Sequence, residues 1–363
     1  HGRLRQADRR PRDRRGSTFV SSISQASAAA KKTIAHDYSK RAMVFGGRCS
    51  QDLAAKIAGK LDLSLGEVTL KTFSDGEIYG RYEDSIRGAD VFLVQSTCQN
   101  KETGMTPNDA LMELMIMADA AQGASAHRII AVMPWFGYAR QDKKSAPREP
   151  ITARVVAQAL ESVGIDRVLT MDLHAGQIQG FFNIPVDHMT ATPMLTQWFT
   201  DQYDAKDLVI VSPDAGRAKA ARNFARKIGT EWAIMEKERP AQQVAEIGYV
   251  VGDVKDKIAI ISDDMIDTAG TLCAAARTVL DEGAKSVIAC ATHGVFSGPA
   301  YERLAYENSE IERIVVTDTI PLRPGAPDNI TVLSTADTLA SSIGRIFTDD
   351  SVSEIFAGEN QLF

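Results

Sequence analysis

The feature that most constrains the fold is a regular alternation of short apolar runs with longer helical patterns. Short and almost continuously apolar runs are typical of parallel strands that are buried on both faces. They are Ala42–Phe45, Asp90–Gln95, Arg128–Met133, Arg167–Met171, Leu208–Ser212, Lys257–Ser262, Ser286–Ala291 and Arg313–Thr317. Helical patterns separate them, at Gln51–Lys60, Ala110–Ala121, Ile151–Ser162, Ala215–Ile228 and Thr271–Glu282. This alternation predicts an α/β fold with mostly parallel sheets flanked by helices.

The order of these elements repeats along the chain. Met43–Leu61 is similar to Ile210–Ile228, since each contains a strand, a glycine-bearing loop and a helix. Further pairs of strands follow in the same order, such as Asp90–Ser96 and Lys257–Asp264. A length of 363 residues also suits two domains. We therefore predict two homologous domains and C-terminal helices that pack back on the core, at residues 40–188, 189–340 and 341–363 respectively.

Residues 1–39 differ in composition from the rest of the chain. Arginines cluster within His1–Arg15, and Ser17–Ala30 is rich in serine and alanine. Transit peptides are poor in acidic residues, whereas Asp8 and Asp13 interrupt the arginines. We predict a dispensable, disordered basic tail. A transit peptide and translated sequence upstream of the true start are the alternatives.

Charge, hydropathy and cysteine usage exclude several classes of protein. The net charge of -6 disfavours a general nucleic-acid binder, although it is compatible with a local basic site for phosphates. No apolar stretch reaches the length of about 18 residues that a membrane span needs. The four cysteines are scattered without a CxxC pair, which favours reduced thiols over a disulfide framework or a zinc site. We predict a cytoplasmic enzyme that binds neither nucleic acid nor a membrane.

The most specific motif is KIAIISDDMIDTAGT at Lys257–Thr271. An apolar strand leads into two adjacent acids, and a turn of small residues and threonines then opens a helix. Backbone N–H groups of such a turn and the positive end of the helix dipole can bind a phosphate, and the acids can accept hydrogen bonds from vicinal sugar hydroxyls. The alternative is a plain strand–turn–helix connection with solvated acids. We favour a site for ribose 5-phosphate, formed by Asp263, Asp264, Asp267, Thr268, Ala269, Gly270 and Thr271.

This motif resembles the phosphoribosyl-diphosphate loop of type I phosphoribosyltransferases and, more closely, that of ribose-phosphate diphosphokinases. Other segments distinguish the two families, because simple phosphoribosyltransferases lack most of them. They are FSDGE at Phe73–Glu77, YARQDKKSAPREPIT at Tyr138–Thr152, MDLHAGQIQGFFNIPVDH at Met171–His188, VSPDAG at Val211–Gly216 and EKERP at Glu236–Pro240. These segments occur in the same order as in the diphosphokinases and together extend over most of the chain. The chain is therefore more similar to the diphosphokinases.

The resemblance implies that the β,γ-diphosphoryl group of ATP is transferred to the anomeric hydroxyl of ribose 5-phosphate, with release of AMP. Such catalysis depends on positioning and charge neutralisation. For the residues of Phe73–Glu77 the alternative is an exposed turn, since Ser-Asp-Gly is common in turns. For Arg140 and Gln141 the alternative is that they are ordinary surface residues. The implied ATP-binding residues are Phe73, Asp75, Gly76, Glu77, Arg140 and Gln141.

For a metal, the resemblance implies Mg²⁺ held by His174 and Asp214. Each residue follows an apolar strand, and ligand sites of α/β proteins gather at the carboxyl ends of strands. Waters and substrate phosphates complete such a site, because Mg²⁺ rarely has an all-protein cage. A lone histidine at a strand end is otherwise more often structural.

For catalysis, the resemblance implies that Lys237 is the catalytic residue and that Arg239 acts with it while contacting ribose 5-phosphate. In an extended segment, residues two apart point the same way, so both cations would reach the transferring phosphates together. A charged surface turn before Pro240 is the alternative. The sequence departs from the family where Arg217 and Ala269 stand at positions that are glycine in many members.

Two rival functions use the same fold. A phosphoribosyltransferase that consumes the activated ribose would need a base-recognition hood, and it would not need Phe73–Glu77. A catalytically silent regulatory subunit would carry lesions in the catalytic loop, whereas Lys237 and Arg239 are present. The resemblance further implies a homo-hexamer with nucleotide sites between subunits, with phosphate as activator and ADP as inhibitor. Arg87 and Ser125 fall where regulatory-site residues are expected.

Overall fold

Parallel strands form the frame of the protein. The computed structural model describes residues 40–238 and 247–356. In chain order the strands are β1 (Ala42–Gly46), β2 (Val68–Thr72), β3 (Ile78–Tyr82), β4 (Asp90–Val94), β5 (Arg128–Met133), β6 (Arg167–Met171), β7 (Val186–Met189), β8 (Leu208–Ser212), β9 (Glu231–Glu238), β10 (Ile247–Val251), β11 (Ile258–Ile266), β12 (Ser286–Gly294), β13 (Ile311–Thr317) and β14 (Ile330–Leu333). The α-helices are α1 (Gln51–Lys60), α2 (Pro107–Gly123), α3 (Thr152–Ser162), α4 (Thr192–Gln202), α5 (Ala218–Ile228), α6 (Gly270–Asp281), α7 (Ala300–Leu304) and α8 (Ala336–Thr348).

The strands form two large sheets and one hairpin. The first sheet has the order β1-β4-β5-β6-β7, and every pairing in it is parallel. The second has the order β10-β9-β8-β11-β12-β13-β14, in which only the pair of β9 and β10 is antiparallel. β2 and β3 form a separate antiparallel hairpin. The predicted α/β fold with mostly parallel sheets flanked by helices is confirmed.

β11 shows why continuously apolar runs predicted the central strands. It lies between β8 and β12, so its side chains have a layer on each face. Ala259, Ile260 and Ile261 are almost completely buried, and burial of one isoleucine side chain stabilises the fold by roughly 1.5–3 kcal/mol. The strand extends past its expected end at Ser262 because β12 runs beside it, pairing Asp263 with Ala291. Two of the predicted ribose-binding acids therefore lie within a strand rather than in a loop.

The two large sheets share one hydrophobic core. A single cluster contains Val44 and Ile130 of the first sheet, Ile210 and Ile260 of the second, and Leu339 of α8. α8 also packs against α1, which joins the end of the described chain to its beginning. The first sheet uses strands up to residue 189 and the second uses strands from residue 208 onward. The homology of the two halves and their boundary at residue 188 stay predictions.

Helix bounds depend on local capping more than on the apolar pattern. α2 begins at Pro107, earlier than expected, because Thr106 and Asp109 form a reciprocal capping box. After α8 the described chain continues into a short 3₁₀ helix, Val352–Phe356. The predicted basic tail at residues 1–39 lies outside the described residues, as do Arg239 and residues 357–363. Within the described part of the chain, every helix is too short or too polar to cross a membrane.

Candidate active site

The loops at the carboxyl ends of the central strands surround a cleft of about 730 Å³. Ligand sites of open α/β sheets form at this edge because the loops there converge. The cleft is lined from the first half of the chain by Arg140, which follows β5, and by His174, which follows β6. From the second half it is lined by Arg217, Asp263 and Asp264. The structure thus brings together residues from four of the predicted site segments.

His174 and Asp264 form a hydrogen-bonded ion pair between the two halves. Nδ1 of His174 lies 2.7 Å from Oδ2 of Asp264, and the side chain of His174 is 38% exposed. A carboxylate only accepts hydrogen bonds, so Nδ1 carries the proton and Nε2 is not used by this contact. The hydrogen bond raises the pKa of His174 against the opposing effect of burial. His174 is therefore oriented by a carboxylate in the way that metal-binding histidines are.

Arg217 is the cation that sequence reasoning did not assign to the site. Its Nε lies 3.3 Å from Oδ1 of Asp263, and its Nη2 lies 3.5 Å from Oδ1 of Asp264. The available signal was its position, since an arginine after Gly216 departs from the family pattern. A pair of adjacent carboxylates needs a nearby cation, because two like charges at close range disfavour each other's ionisation.

The two adjacent acids have opposite electrostatic properties. Burial raises the pKa of Asp263 to about 7, and the neighbouring Asp264 carboxylate adds to the effect. Burial also acts to raise the pKa of Asp264, but the hydrogen bond from His174 and the charge of Arg217 lower it well below its usual range. Asp264 is therefore the more acidic member of the pair, and Asp263 is the one that titrates near neutral pH.

A second ion pair joins the expected ATP loop to the expected ribose loop. Nη1 of Arg140 lies 2.5 Å from Oδ2 of Asp267, and the hydroxyl of Ser297 donates to Oδ1 of the same carboxylate. Arg140 is more than half exposed, so its guanidinium can exchange this carboxylate for a phosphate. Two segments that were predicted to bind different substrates are therefore in contact.

The turn Thr268–Thr271 has the features of an anion site. Ala269 has a left-handed backbone, with φ of 62°, and α6 begins at the next residue, so the helix N-terminus faces this turn. Arg303, which sequence reasoning missed, donates from Nη1 to the carbonyl oxygen of Thr268 at 2.9 Å. A Cβ at Gly270 would lie 3.1 Å from this Nη1, so glycine leaves room for the arginine. Thr268 and Thr271 are both exposed.

The turn that carries His174 is fixed from several sides. The carboxylate of Asp172 accepts from the Thr292 hydroxyl at 2.6 Å and from the backbone N–H of Ala191 at 2.8 Å. Nε2 of His188 accepts from the backbone N–H of Leu173 at 2.8 Å. Burial lowers the pKa of His188 to about 4, so the ring is neutral and this acceptor is available.

The other expected metal ligand, Asp214, has a local role in the structure. It caps the single-turn 3₁₀ helix Ala215–Arg217, where its Oδ1 accepts from the backbone N–H of Arg217 at 3.1 Å. Asp214 is exposed and is not among the described residues that line the cleft. Within residues 40–238 and 247–356, no three His, Cys, Asp or Glu side chains are grouped for a metal ion.

The hairpin tip Phe73–Glu77 is built by local contacts. The backbone N–H of Phe73 donates to the carbonyl of Glu77 at 2.8 Å, Oδ1 of Asp75 accepts from the N–H of Glu77 at 3.1 Å, and Gly76 has φ of 97°. Phe73 is 45% exposed. None of these residues is among the described ones that line the cleft. In a single chain the segment Phe73–Glu77 is therefore an exposed turn, which was the alternative interpretation of the motif.

The remaining expected residues lie farther from the cleft centre. Oε1 of Gln141 accepts from the Thr152 hydroxyl at 2.5 Å, and Gln141 does not line the cleft among the described residues. The backbone of Lys237 lies in β9, opposite Gly248 of β10. Arg239 lies outside the described residues.

Comparisons with known proteins agree with this arrangement. Residues 42–164 match the model of the N-terminal domain of ribose phosphate pyrophosphokinase. Residues 241–357 match that of the phosphoribosyl synthetase-associated domain. The ribose-phosphate pyrophosphokinase of Clostridium perfringens is 50% identical over 323 residues, which cover 88% of this chain and 99% of that enzyme. The chain belongs to the ribose-phosphate pyrophosphokinase family.

Further relatives support the same membership. The ribose-phosphate pyrophosphokinase of Caldanaerobacter subterraneus is 50% identical over 320 residues, covering 88% of this chain and 99% of that enzyme. The crystal structure of phosphoribosylpyrophosphate synthetase from Mycobacterium smegmatis superposes with a TM-score of 0.79 and 43% identity, covering 85% of this chain and 100% of that one. This ribose-phosphate pyrophosphokinase family member therefore shares the fold of its relatives over their full length.

Proposed function

We propose that this protein synthesises 5-phosphoribosyl 1-diphosphate from ATP and ribose 5-phosphate and releases AMP. The carrying observation is the contact between Arg140 and Asp267, which joins the expected phosphate clamp for ATP to the ribose-phosphate loop. A phosphoribosyltransferase would need no ATP clamp at this place. The family membership supports the same reaction.

The acceptor sugar binds at the Asp263–Thr271 segment. The turn at Thr268–Thr271 offers backbone N–H groups, two hydroxyls and a helix N-terminus to the 5-phosphate. Asp263, which is 35% exposed toward the cleft, accepts a hydrogen bond from a ribose hydroxyl.

The donor nucleotide binds on the other side of the cleft. The anomeric oxygen forms a bond to the β-phosphorus, the bond between that phosphorus and the α,β-bridging oxygen breaks, and AMP departs while the hydroxyl loses its proton. Arg140, Lys237 and Arg239 supply positive charge to the transferring group, and such charge is the main source of catalysis in phosphoryl transfer. Phe73, Asp75, Gly76, Glu77 and Gln141 hold the nucleoside.

The reaction uses Mg²⁺ bound through His174 and Asp214, with water and substrate phosphates as the other ligands. The partly exposed imidazole with its Nδ1 occupied, together with the exposed Asp214 carboxylate, fits an ion that takes few protein ligands. When bound, the ion would supply positive charge at the phosphate oxygens of ATP. Asp264 fixes the His174 ring that would hold it.

The working form is a cytoplasmic homo-hexamer that phosphate activates and ADP inhibits. The hairpin tip at Phe73–Glu77 supports a nucleotide site completed by a second subunit, since its ring and carboxylates are exposed and do not line the chain's own cleft. Arg87 and Ser125 support an effector site. Both are exposed, and they are adjacent, because the carbonyl of Ser125 accepts from the backbone N–H of Gly88.

Product analysis tests the proposed reaction against its rivals. The purified protein is incubated with ATP, Mg²⁺ and ribose 5-phosphate, and AMP is measured by chromatography. We expect AMP and phosphoribosyl diphosphate in equal amounts, and no AMP when ribose 5-phosphate is omitted. Release of diphosphate only after a nucleobase is added to phosphoribosyl diphosphate would indicate a phosphoribosyltransferase. Absence of every product would indicate a silent subunit.

A further inference from the structure

The adjacent acids Asp263 and Asp264 do not have equivalent surroundings. The side chain of Asp264 is 3% exposed, whereas that of Asp263 is 35% exposed. Both oxygens of Asp264 already have partners, His174 at Oδ2 and Arg217 at Oδ1. Asp263 uses Oδ1 for the backbone N–H of Asp264 and for Arg217, which leaves Oδ2 as the oxygen these contacts do not use.

Strand geometry explains why neighbours differ in this way. Both acids lie in β11, and successive side chains of a strand point to opposite faces. A sugar that enters from one direction therefore meets the two carboxylates unequally. A buried carboxylate with two cationic partners is stabilised as a charged, fixed group.

Asp264 is also the link between the two expected metal ligands. His174, from the first half, donates to Oδ2 of Asp264. Arg217, from the second half, lies at Oδ1, and the backbone N–H of Arg217 donates to the carboxylate of Asp214. The chain of contacts thus runs from His174 through Asp264 and Arg217 to Asp214.

We infer that Asp264 is a positioning residue, which holds His174 and Arg217 in place, and that Asp263 alone of the pair binds the ribose. This inference rests on the proposed function and refines it, since the sequence motif treated both acids as ligands of the sugar. Arg217 becomes part of the same support. A carboxylate behind a metal-binding histidine fixes the tautomer and the direction of the ring.

Asp264→Asn and its neighbour Asp263→Asn are a matched pair of variants for the test. Loss of the carboxylate behind His174 raises the Mg²⁺ concentration for half-maximal activity by about 10–100-fold, as for other outer-shell partners of metal ligands. The KM for ribose 5-phosphate stays within about twofold in Asp264→Asn, because no sugar contact is lost. In Asp263→Asn the KM for ribose 5-phosphate rises about tenfold or more, because a charged hydrogen bond is lost, and the Mg²⁺ requirement stays near the wild-type value.

Nuclear magnetic resonance of the histidine rings gives a readout that is independent of turnover. In the metal-free, ¹⁵N-labelled protein, the Nδ1 proton of His174 is assigned by comparison with His174→Gln. We expect a strongly hydrogen-bonded, slowly exchanging proton in the wild type and in Asp263→Asn. In Asp264→Asn we expect a weakened hydrogen bond and faster exchange, because a neutral amide oxygen is a poorer acceptor than a carboxylate. The wild-type chemical shift and exchange rate in Asp264→Asn, or a raised KM for ribose 5-phosphate with an unchanged Mg²⁺ requirement in that variant, would overturn the inference.

Arg217→Gln keeps the test decisive if Asp264→Asn fails to fold. Arg217 is partly exposed and lies outside the strands, so the sheet does not depend on it. We expect a raised Mg²⁺ requirement with little change in the KM for ribose 5-phosphate, and the opposite pattern would contradict the role. If the wild type forms no AMP, the proposed function fails, while the resonance of His174 still tests the positioning contact.

Discussion

The ribose-phosphate segment Asp263–Thr271 and the hairpin tip Phe73–Glu77 were both predicted to bind substrate, yet they are built differently. Three acids of the first segment contact cations from distant parts of the chain, among them Arg140 and His174. The second is held by hydrogen bonds within the hairpin, and its Phe73 ring contacts only the nearby Lys71 and Tyr79 among the described residues.

The difference indicates how each region is completed. A single chain already brings charges from both halves to the expected ribose segment. The hairpin instead exposes an aromatic ring and two carboxylates, as the proposed nucleotide site between subunits requires. We therefore expect changes in the first segment to alter ribose binding within each chain, and changes in the hairpin to alter nucleotide binding in the assembled protein.

The largest effect should come from substitution of Lys237, which lies in neither region. This substitution should affect the chemical step and leave substrate binding nearly unchanged. We expect Lys237→Ala to lower kcat by about 1000-fold, since one preorganised donor to a transition state contributes that much. The KM values for ATP and ribose 5-phosphate should change little. Steady-state kinetics check this, and near-normal turnover would refute the catalytic assignment.

Removal of Arg140 should break the bridge between the two substrate segments. We expect Arg140→Ala to lower kcat/KM for ATP by about 100-fold, the cost of a lost charge-assisted contact. Gln141→Ala is the matched neighbour and should have a smaller effect, since its side chain bonds to Thr152 and lies outside the described cleft lining. Equal effects of the two variants would contradict the role of Arg140 as the phosphate clamp.

Removal of the Phe73 ring should weaken nucleotide binding only. We expect Phe73→Ala to raise the KM for ATP about tenfold, which is the worth of one aromatic ring stacked on a base. The KM for ribose 5-phosphate should be unchanged. A raised KM for ribose 5-phosphate would show that the hairpin and the ribose segment are not separate sites.

The pH dependence of ribose binding should follow Asp263. Its pKa is raised to about 7, so the carboxylate is protonated below this pH and ionised above it. We expect the KM for ribose 5-phosphate to fall by about tenfold as pH rises from 6 to 8, because only the ionised form is a charged acceptor. The substrate phosphate also titrates in this range, so Asp263→Asn is the control and should lose most of the dependence. Phe73→Ala should keep it.

The smallest effect concerns the backbone of the phosphate turn. Ala269 has φ of 62°, a conformation that costs an L-residue about 1–2 kcal/mol and glycine little. We expect Ala269→Gly to stabilise the protein by about 0.5 kcal/mol, after the greater freedom of glycine in the unfolded chain is included. Ala274→Gly within α6 should instead destabilise it by about 1 kcal/mol. Urea unfolding of both variants measures the difference, and a loss of stability in Ala269→Gly would contradict the strain.

Sequence patterns located the site because they report on single strands and their ends. A buried apolar run followed by polar residues placed His174, Asp214 and Asp263 near one edge of the sheets. The same criterion missed β2 and β3, because their residues are partly buried or exposed and form no continuously buried run. It also missed the true end of β11, which depends on the length of β12 beside it.

Contacts between distant residues could not be predicted in this way. The pairs of Asp264 with His174 and of Asp267 with Arg140 depend on how the two halves pack, which no local pattern records. Arg217 and Arg303 resemble ordinary surface cations in the sequence. Only the departure from the family at Arg217 gave a signal, and its meaning required the position of the two acids.

We expect this protein to transfer the β and γ phosphoryl groups of ATP as one unit to ribose 5-phosphate. The most direct measurement follows ATP labelled with ³²P at the α, β or γ position during reaction with ribose 5-phosphate and Mg²⁺. We predict that the α label appears in AMP and that the β and γ labels appear together in the acid-labile sugar product. Transfer of the γ label alone, with the α and β labels left in ADP, would contradict the account.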